Sequence, residues 1–245
     1  MNYIHLNCDL GEGGTYDEQL MPFISACNIA CGGHAGTLES MRETVDLAME
    51  HHVEMGAHPS YPDKENFGRK SMDISRDELK RSLVAQILSL KQIAEAEGGK
   101  LMHIKPHGAL YNDTAKNPEI AQIVIDAILE FDQKFLLYAP PKSVISELAK
   151  DKIKVVFEAF SDRNYNEDYS LVSRGEKDAL ITKREAVFHH LFTMYYEKKI
   201  SCASGGKIAC NATTFCLHSD TQDSIEILKY LKTELGQKDT RIKNT

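Results

Sequence analysis

The sequence predicts an α/β barrel, in which parallel strands alternate with helices around a closed or nearly closed sheet. Short β-rich runs alternate with helical stretches almost from end to end, and about seven such units follow one another. The 245 residues contain no obvious linker, and this length suits a single barrel domain over residues 1–245. An open doubly wound sheet is the alternative fold, but no Gly-x-Gly-x-x-Gly follows the first strand.

Seven segments have the short apolar or β-branched character of strands. They are residues 3–8, 25–30, 53–57, 101–104, 134–138, 154–158 and 213–217. Helices are predicted between them from caps: Ser75 and Thr182 each stand three residues before a Glu, which is the pattern of a capping box. Asp220 is predicted to cap the closing helix, and the polar tail after Gly236 is predicted to fray.

The overall charge and composition exclude several classes of protein. The net charge of −7 argues against a surface for nucleic acid or anionic membranes, since both need clustered Lys and Arg. No apolar run approaches the roughly 18 residues that a membrane-spanning helix needs. No export signal opens the sequence, so we expect a cytoplasmic protein whose six cysteines are reduced thiols.

Polar side chains follow six of the seven predicted strands, at the end where a parallel barrel carries its active site. Four histidines fall just beyond four different strands, at positions 34, 58, 107 and 218. The other polar candidates at these strand ends are Asp9, Glu12, Asn28, Lys105, Tyr111, Asn112, Asp162 and Arg163. Together they predict one functional cluster at the barrel mouth.

Simpler explanations exist for individual residues. Lys105 beside carboxylates is equally consistent with a structural ion pair, and Asp162 with Arg163 could form a local one. A single histidine near a turn is more often a hydrogen-bonded loop residue than a catalytic one. His189 and His190 lie within a predicted helix and are expected on the surface.

Several ordered motifs resemble those of the LamB/YcsF family. The matching segments span residues 7–12, 28–36, 56–63, 105–112, 160–165, 171–174 and 216–220, and the resemblance extends from residue 4 to about residue 235. It implies an irregular seven-stranded (β/α) barrel of the glycoside hydrolase/deacetylase type. It also implies a component of the ATP-dependent 5-oxoprolinase, which works with partner subunits B and C.

The reaction implied by the resemblance is hydrolysis of the lactam of 5-oxoproline to L-glutamate, with ATP as co-substrate. The expected catalytic residues are Asp9, His58, Lys105, His107, Arg163 and His218. The expected substrate-binding residues are Glu12, Asn28, His34, Tyr111, Asn112 and Asp162. Among them, Asp9 or His58 would act as base, Lys105 and Arg163 would clamp anions, and His107 or His218 would donate protons.

Two cofactor questions stay open at this level. Deacetylases of the implied superfamily hold a divalent metal with one Asp and two His, and Asp9, His34 and His58 could supply that set. Their usual His-x-x-x-His pair is missing here, and Thr37 stands where the family usually has Asp. Gly33 replaces a frequent aromatic residue and could widen the pocket. No nucleotide-binding loop is found, so ATP chemistry is expected to need the partner subunits.

Two other classes of function compete with this hypothesis. A free-standing metal-dependent amidohydrolase or carbohydrate deacetylase would be active without ATP and would hold stoichiometric metal. A non-catalytic component that only binds the substrate would tolerate mutations at the rim without any change in the chemical step.

Overall fold

Seven parallel strands close into a barrel, as the sequence predicts. The computed structural model describes residues 1–14 and 16–243. The barrel strands are β2 (Leu6–Leu10), β3 (Ala26–Ala30), β4 (Glu54–His58), β5 (Leu101–Ile104), β6 (Leu136–Ala139), β7 (Lys154–Phe160) and β10 (Thr214–Cys216). They are adjacent in this order, and β10 closes the ring by pairing with both β7 and β2.

Helices follow most barrel strands and cover the outside of the barrel. They are α1 (Asp17–Leu20), α2 (Leu38–Glu50), α3 (Arg76–Ala96), α4 (Gly108–Thr114), α5 (Pro118–Ile128), α6 (Val144–Ala149), α7 (Arg184–Tyr196) and α8 (Ser224–Gly236), with a short 3₁₀ turn at Met21–Phe23. Strands β2 and β3 are buried at every position, because side chains fill the barrel on one face and helices cover the other. Among the described residues, no helix combines the length and apolar character needed to cross a membrane.

Two small sheets lie outside the barrel. Strand β8 (Lys199–Ser201) pairs antiparallel with β9 (Lys207–Ala209). Strand β1 (Asn2–Ile4) pairs in parallel with β11 (Thr240–Ile242), which buries Thr240. The predicted fraying of the tail after residue 236 is therefore wrong as far as residue 242, because backbone pairing with β1 anchors it.

Two helix starts differ from the prediction. Asp220 does not cap α8, which begins after Asp223; the carboxylate of Asp220 pairs with Arg69 instead. Thr182 does not cap α7, which begins after Lys183 without a side-chain cap. The Ser75 cap is confirmed, since its hydroxyl accepts a hydrogen bond from the backbone N–H at position 78.

Three other local predictions are corrected. The first predicted strand is divided at His5 into β1 and β2. The fifth predicted strand, residues 134–138, begins at Leu136 in the structure, two residues later than predicted. His190, expected on the surface, is only 5% exposed, since it lies on the face of α7 that packs inward beside Tyr165. The predicted single domain over residues 1–245 includes Thr15, Asn244 and Thr245, which lie outside the described residues.

Candidate active site

A cavity of about 460 Å³ opens at the carboxyl ends of the barrel strands. Its lining includes Asp9 from β2, His58 from β4, Lys105 directly after β5, Glu158 from β7 and His218 shortly after β10. The barrel thus brings together side chains that are far apart in sequence. This is the end of the barrel where enzymes of this architecture carry out their chemistry.

Lys105 lies buried between two carboxylates. Its Nζ is 2.8 Å from Oδ1 of Asp9 and 3.1 Å from Oε1 of Glu158, and it donates to Sγ of Cys216 at 3.2 Å. Burial opposes the charge of Lys105, but these negative neighbours raise its pKa well above the usual value. Burial likewise opposes the charge of Asp9, yet His58 and Lys105 hold the pKa of Asp9 well below its usual value. The pair is therefore ionised.

A network of buried side-chain hydrogen bonds, centred on Asn28, holds the Asp9 carboxylate in place. Nδ2 of Asn28 donates to Oδ1 of Asp9 at 2.7 Å and to Oδ1 of Asn7 at 2.8 Å. Oδ1 of Asn28 lies 2.7 Å from Nε2 of His103. The ring of His103 passes so close to Gly56 that a Cβ there would lie 2.2 Å from Nε2. A glycine at this strand position is what allows the network to form.

His58 and His107 face each other through one ring nitrogen each. Nδ1 of His58 lies 2.7 Å from the carbonyl oxygen of Lys105, and Nε2 of His107 lies 3.0 Å from that of Phe67. A carbonyl oxygen only accepts hydrogen bonds, so in the neutral rings these nitrogens carry the hydrogen. The remaining nitrogens, Nε2 of His58 and Nδ1 of His107, are 3.0 Å apart. A proton on either nitrogen makes this contact a hydrogen bond, and two neutral rings held in this way would instead direct two lone pairs at a shared cation.

Carboxylates surround this histidine pair. Oε1 of Glu12 is 3.3 Å from Nδ1 of His107 and 2.9 Å from Nε2 of His34, while Oδ2 of Asp9 is 3.3 Å from Nε2 of His58. The ring of His34 stacks on that of His107, with centroids 3.6 Å apart. Burial, with the charge of Asp9 adding to it, raises the pKa of Glu12 to about 7, and burial lowers the pKa of His34 to about 4.

This convergence of acceptor atoms fits a cation, either a proton or a divalent metal ion. The ligand atoms of Glu12, His34, His58 and His107 all lie within 4.8 Å of one another. Imidazole and carboxylate donors suit zinc or manganese. The metal set predicted from sequence is divided: His34 and His58 belong to this group, whereas Asp9 belongs to a second group of converging ligand atoms, with Cys216 and His218. Oδ1 of Asp9 is also held by Lys105 and Asn28.

Asp162 orients His218 on the other side of the cavity. The carboxylate of Asp162 lies 3.0 Å from Nδ1 of His218, and it also accepts from the backbone N–H of His218 and from the hydroxyl of Thr221. Burial favours the neutral acid, but the charge and hydrogen bonds of His218 lower the pKa of Asp162 to about 2. With Nδ1 held in this way, Nε2 of His218 is left for the cavity. The ring stacks on Phe160 at 5.1 Å.

Three arginines supply positive charge around the cavity. Arg163 is buried and donates through Nη2 to the carbonyl of Val172 at 2.7 Å; burial lowers its pKa to about 10. Nearer the solvent, Arg69 and Arg174 lie 2.5 Å and 3.5 Å from Oδ2 of Asp220. These cations can receive an anionic group of a ligand.

The remaining predicted site residues divide into two layers. Tyr111 and Asn112 line the cavity, and their role in substrate binding stays a prediction. Asn28, His34 and Asp162 lie behind the lining, where each holds a residue that faces the cavity. We therefore describe these three as positioning residues.

Sequence reasoning did not assign a role to Glu158, Arg69 or Arg174, although all three line the cavity. A signal for Glu158 was available, because a charged residue near the end of a buried parallel strand must point at something polar. The two arginines lie in loops whose positions follow only from the folded chain.

The departures from the family pattern now have physical explanations. Thr37 caps α2, since its hydroxyl accepts from the backbone N–H of Ser40 at 3.1 Å. The space beside Gly33 is filled: a Cβ there would lie 2.3 Å from Oγ of Ser60 and 2.4 Å from Oε1 of Gln86. Gly33 therefore allows close packing here and does not widen the cavity.

Comparison with known proteins identifies the family. The family model described as LamB/YcsF family matches residues 4–245. The chain belongs to the LamB/YcsF family. A protein named as the A component of 5-oxoprolinase from Bacillus thuringiensis subsp. konkukian is 43% identical to this LamB/YcsF chain over 236 residues, which cover 94% of this chain and 93% of that protein. A protein of the same name from Bacillus cytotoxicus is 44% identical over 229 residues, 91% of each chain.

Solved structures agree with this assignment. The lactam utilization protein from Thermus thermophilus superposes with a TM-score of 0.92 at 33% identity, covering 99% of this chain and 100% of that one. A family 4 carbohydrate esterase from Streptomyces lividans superposes with a TM-score of 0.51 at 12% identity, covering 98% and 91% of the two chains. The second similarity concerns the fold alone. It confirms the predicted barrel of the deacetylase type.

Proposed function

We propose that this chain is the component of an ATP-dependent 5-oxoprolinase that opens the lactam ring of 5-oxoproline to give L-glutamate. The observation that carries the proposal is one cavity faced by an ionised Asp9–Lys105 pair and by a histidine, His218, oriented by Asp162. The relatives named as the A component of 5-oxoprolinase, which cover nearly the whole chain, point to the substrate.

The overall reaction converts 5-oxoproline, ATP and two waters into glutamate, ADP and phosphate. One water is consumed by lactam hydrolysis and the other by ATP hydrolysis. A lactam carbonyl is a poor electrophile and its nitrogen is a poor leaving group, so transfer of the γ-phosphoryl group to the lactam oxygen would activate the ring carbon. ADP leaves in this transfer. Water then adds to that carbon and the C–N bond breaks, with the nitrogen taking up the bonding electron pair and a proton. The second water hydrolyses the resulting γ-glutamyl phosphate to glutamate and phosphate.

The geometry suggests which side chains handle the protons. Asp9, kept ionised by Lys105, would accept the proton of the attacking water. His58 is the other candidate base, but its Nδ1 is held by the carbonyl of Lys105 and its Nε2 faces both Asp9 and His107. His218 would deliver a proton to the leaving nitrogen through Nε2, because Asp162 holds its Nδ1. His107, as predicted from sequence, is the other candidate donor, but both of its nitrogens are engaged.

The anionic groups of the substrate would meet the arginines. The charge of Lys105 is already balanced by Asp9 and Glu158, so its main effect would be to keep Asp9 ionised. Arg163, with Arg69 and Arg174 nearer the opening, would then bind the substrate carboxylate or phosphoryl group.

A divalent ion would be held by Glu12, His34, His58 and His107, the group whose donor atoms converge. When bound, such an ion supplies Lewis-acid polarisation of an oxygen atom. The sequence contains no nucleotide-binding loop, so we propose that ATP chemistry requires subunits B and C. The cytoplasmic location expected from the sequence stays a prediction.

The test combines this chain with the proteins encoded beside it as subunits B and C. Glutamate formation from 5-oxoproline is followed with and without ATP, using wild-type chain and the Asp9→Asn variant. We expect ATP-dependent glutamate that is lost in the variant. ATP-independent hydrolysis by the isolated chain would favour the amidohydrolase or deacetylase alternative. Unchanged turnover with Asp9→Asn would favour a component that only binds substrate.

A further inference from the structure

We infer that Glu158 and Tyr111 bind the amide edge of the lactam and select it over ring analogues that lack an N–H. The inference rests on the proposed function and extends it, since neither residue has a role in the proton transfers described above. It assigns a specificity site for a cyclic secondary amide.

Both residues carry buried polar atoms in the wall of the cavity. Glu158 and Tyr111 line it, at 1% and 5% exposure. Neither oxygen of the Glu158 carboxylate, nor the Tyr111 hydroxyl, has a hydrogen-bond partner of good geometry among the described residues. Lys105 balances the charge of Glu158 from the Oε1 side at 3.1 Å.

Such atoms are unusual in a folded interior. Buried polar groups almost always find partners, and each one that does not deserves a specific explanation. A ligand that brings one donor and one acceptor would satisfy both residues. Tyr111 and Glu158 are near each other: the Tyr111 hydroxyl reaches the Glu158 carboxylate only in a poorly aligned contact, and after burial the charge of Glu158 is the next largest cause of the raised pKa of Tyr111, with this contact adding to it. A lactam edge placed between the two groups would replace that contact with two well-aligned hydrogen bonds.

The edge of a five-membered lactam is such a ligand. Its ring N–H is a donor and its carbonyl oxygen, on the adjacent ring atom, is an acceptor. The Glu158 carboxylate can only accept, so it takes the N–H; the Tyr111 hydroxyl can donate to the carbonyl. The Phe160 ring, against which Tyr111 packs edge-on at 5.5 Å, offers an apolar surface to the ring methylenes.

This arrangement predicts a preference that can be measured with two analogues. In 5-oxotetrahydrofuran-2-carboxylate, a ring oxygen replaces the N–H and would face the Glu158 carboxylate acceptor to acceptor. In N-methyl-5-oxoproline, a methyl group replaces the hydrogen. A hydrogen bond to a charged group is strong enough that losing it should weaken binding by about 10- to 100-fold.

The experiment measures the inhibition of 5-oxoproline turnover by each analogue in the complete enzyme, assembled with subunits B and C. Wild-type enzyme, Glu158→Gln and Tyr111→Phe are compared, with Glu147→Gln as a control, because Glu147 is an exposed residue on α6. Thermal unfolding verifies that each variant is folded.

For wild-type enzyme we expect the inhibition constants of both analogues to exceed the Michaelis constant of the lactam substrate by at least about tenfold. A glutamine at 158 can turn its NH₂ group toward the ring oxygen of the lactone. Glu158→Gln should therefore lower the ratio of the lactone inhibition constant to the lactam Michaelis constant about tenfold or more. Tyr111→Phe should raise the Michaelis constant of the lactam, and Glu147→Gln should change nothing.

The inference is overturned if the wild-type enzyme turns over 5-oxoproline but binds the lactone equally well. It is also overturned if Glu158→Gln and Tyr111→Phe leave both the lactone-to-lactam ratio and the Michaelis constant unchanged. Should Glu158→Gln fail to fold, the wild-type comparison and Tyr111→Phe still decide. A wild-type complex that makes no glutamate at all would instead refute the proposed function, so the two failures are distinguishable.

Discussion

Replacing Lys105 by methionine should destabilise the protein strongly, because it removes the cation between two buried carboxylates. Asp9 lies 2.8 Å and Glu158 3.1 Å from the ammonium group, and the three side chains are at most 6% exposed. The three groups carry a net charge of −1 with Lys105 and −2 without it. Removing one partner of a buried ion pair typically costs about 3–5 kcal/mol. That is a large share of the roughly 5–15 kcal/mol that stabilises a typical domain.

Urea unfolding of the isolated chain measures this effect. Lys150→Met is the matched control: Lys150 also pairs with a carboxylate, at 3.3 Å, but its side chain is 62% exposed, so its loss should cost at most about 1 kcal/mol. Adding Glu158→Gln to Lys105→Met removes one uncompensated charge and should restore part of the lost stability. If Lys105→Met is as stable as the control, the buried ion-pair reasoning is wrong.

Three further predictions concern the histidines and pH. Replacing Asp162 by asparagine or His218 by alanine should reduce turnover of the assembled enzyme by about 10²–10⁴-fold. Circular dichroism should show that both variants keep the fold. A loss of turnover below threefold would argue against His218 as a proton donor. After metal is removed by chelation, the protein should take up about one equivalent of zinc or manganese, measured by elemental analysis. His58→Ala should abolish this binding. Equal binding by the variant would place the metal elsewhere. The interaction with His5, whose Nε2 lies 3.6 Å from Oε2 of Glu54, lowers the pKa of Glu54 from 4.5 to about 2. The stability that the ionised Glu54 contributes is therefore present above pH 4.5 and lost as the pH falls towards 2. Glu54→Gln should be less stable than wild type at pH 6. This difference in the free energy of unfolding should shrink on acidification. A constant difference measured by denaturant unfolding would contradict that linkage.

The barrel and its mouth follow from sequence because strand ends are marked by local patterns. Alternating strands and helices imply parallel pairing, and parallel pairing places residues such as Asp9, His58 and His107 at one end. That reasoning needs only the position of a residue after its strand. It does not need the side-chain direction or the neighbours across the barrel.

What the sequence leaves undetermined depends on contacts between distant segments. Asp220 has the spacing of a helix cap, but Arg69, 151 positions earlier in the chain, takes its carboxylate instead. The chain end pairs with β1 although its composition is polar, because backbone hydrogen bonding does not depend on side-chain type. In the same way Asn28 and His34, placed by sequence among the substrate contacts, lie one layer behind them.

The most direct test of the account is the rate at which the assembled enzyme forms glutamate from 5-oxoproline, compared between wild-type chain and Asp9→Asn. The substitution keeps the size of the side chain and removes the charge that Lys105 and His58 stabilise. We predict ATP-dependent glutamate from the wild-type enzyme and a loss of about 10²-fold or more in the variant, with assembly unchanged. Equal rates would show that the cavity at the barrel mouth does not carry out the ring opening.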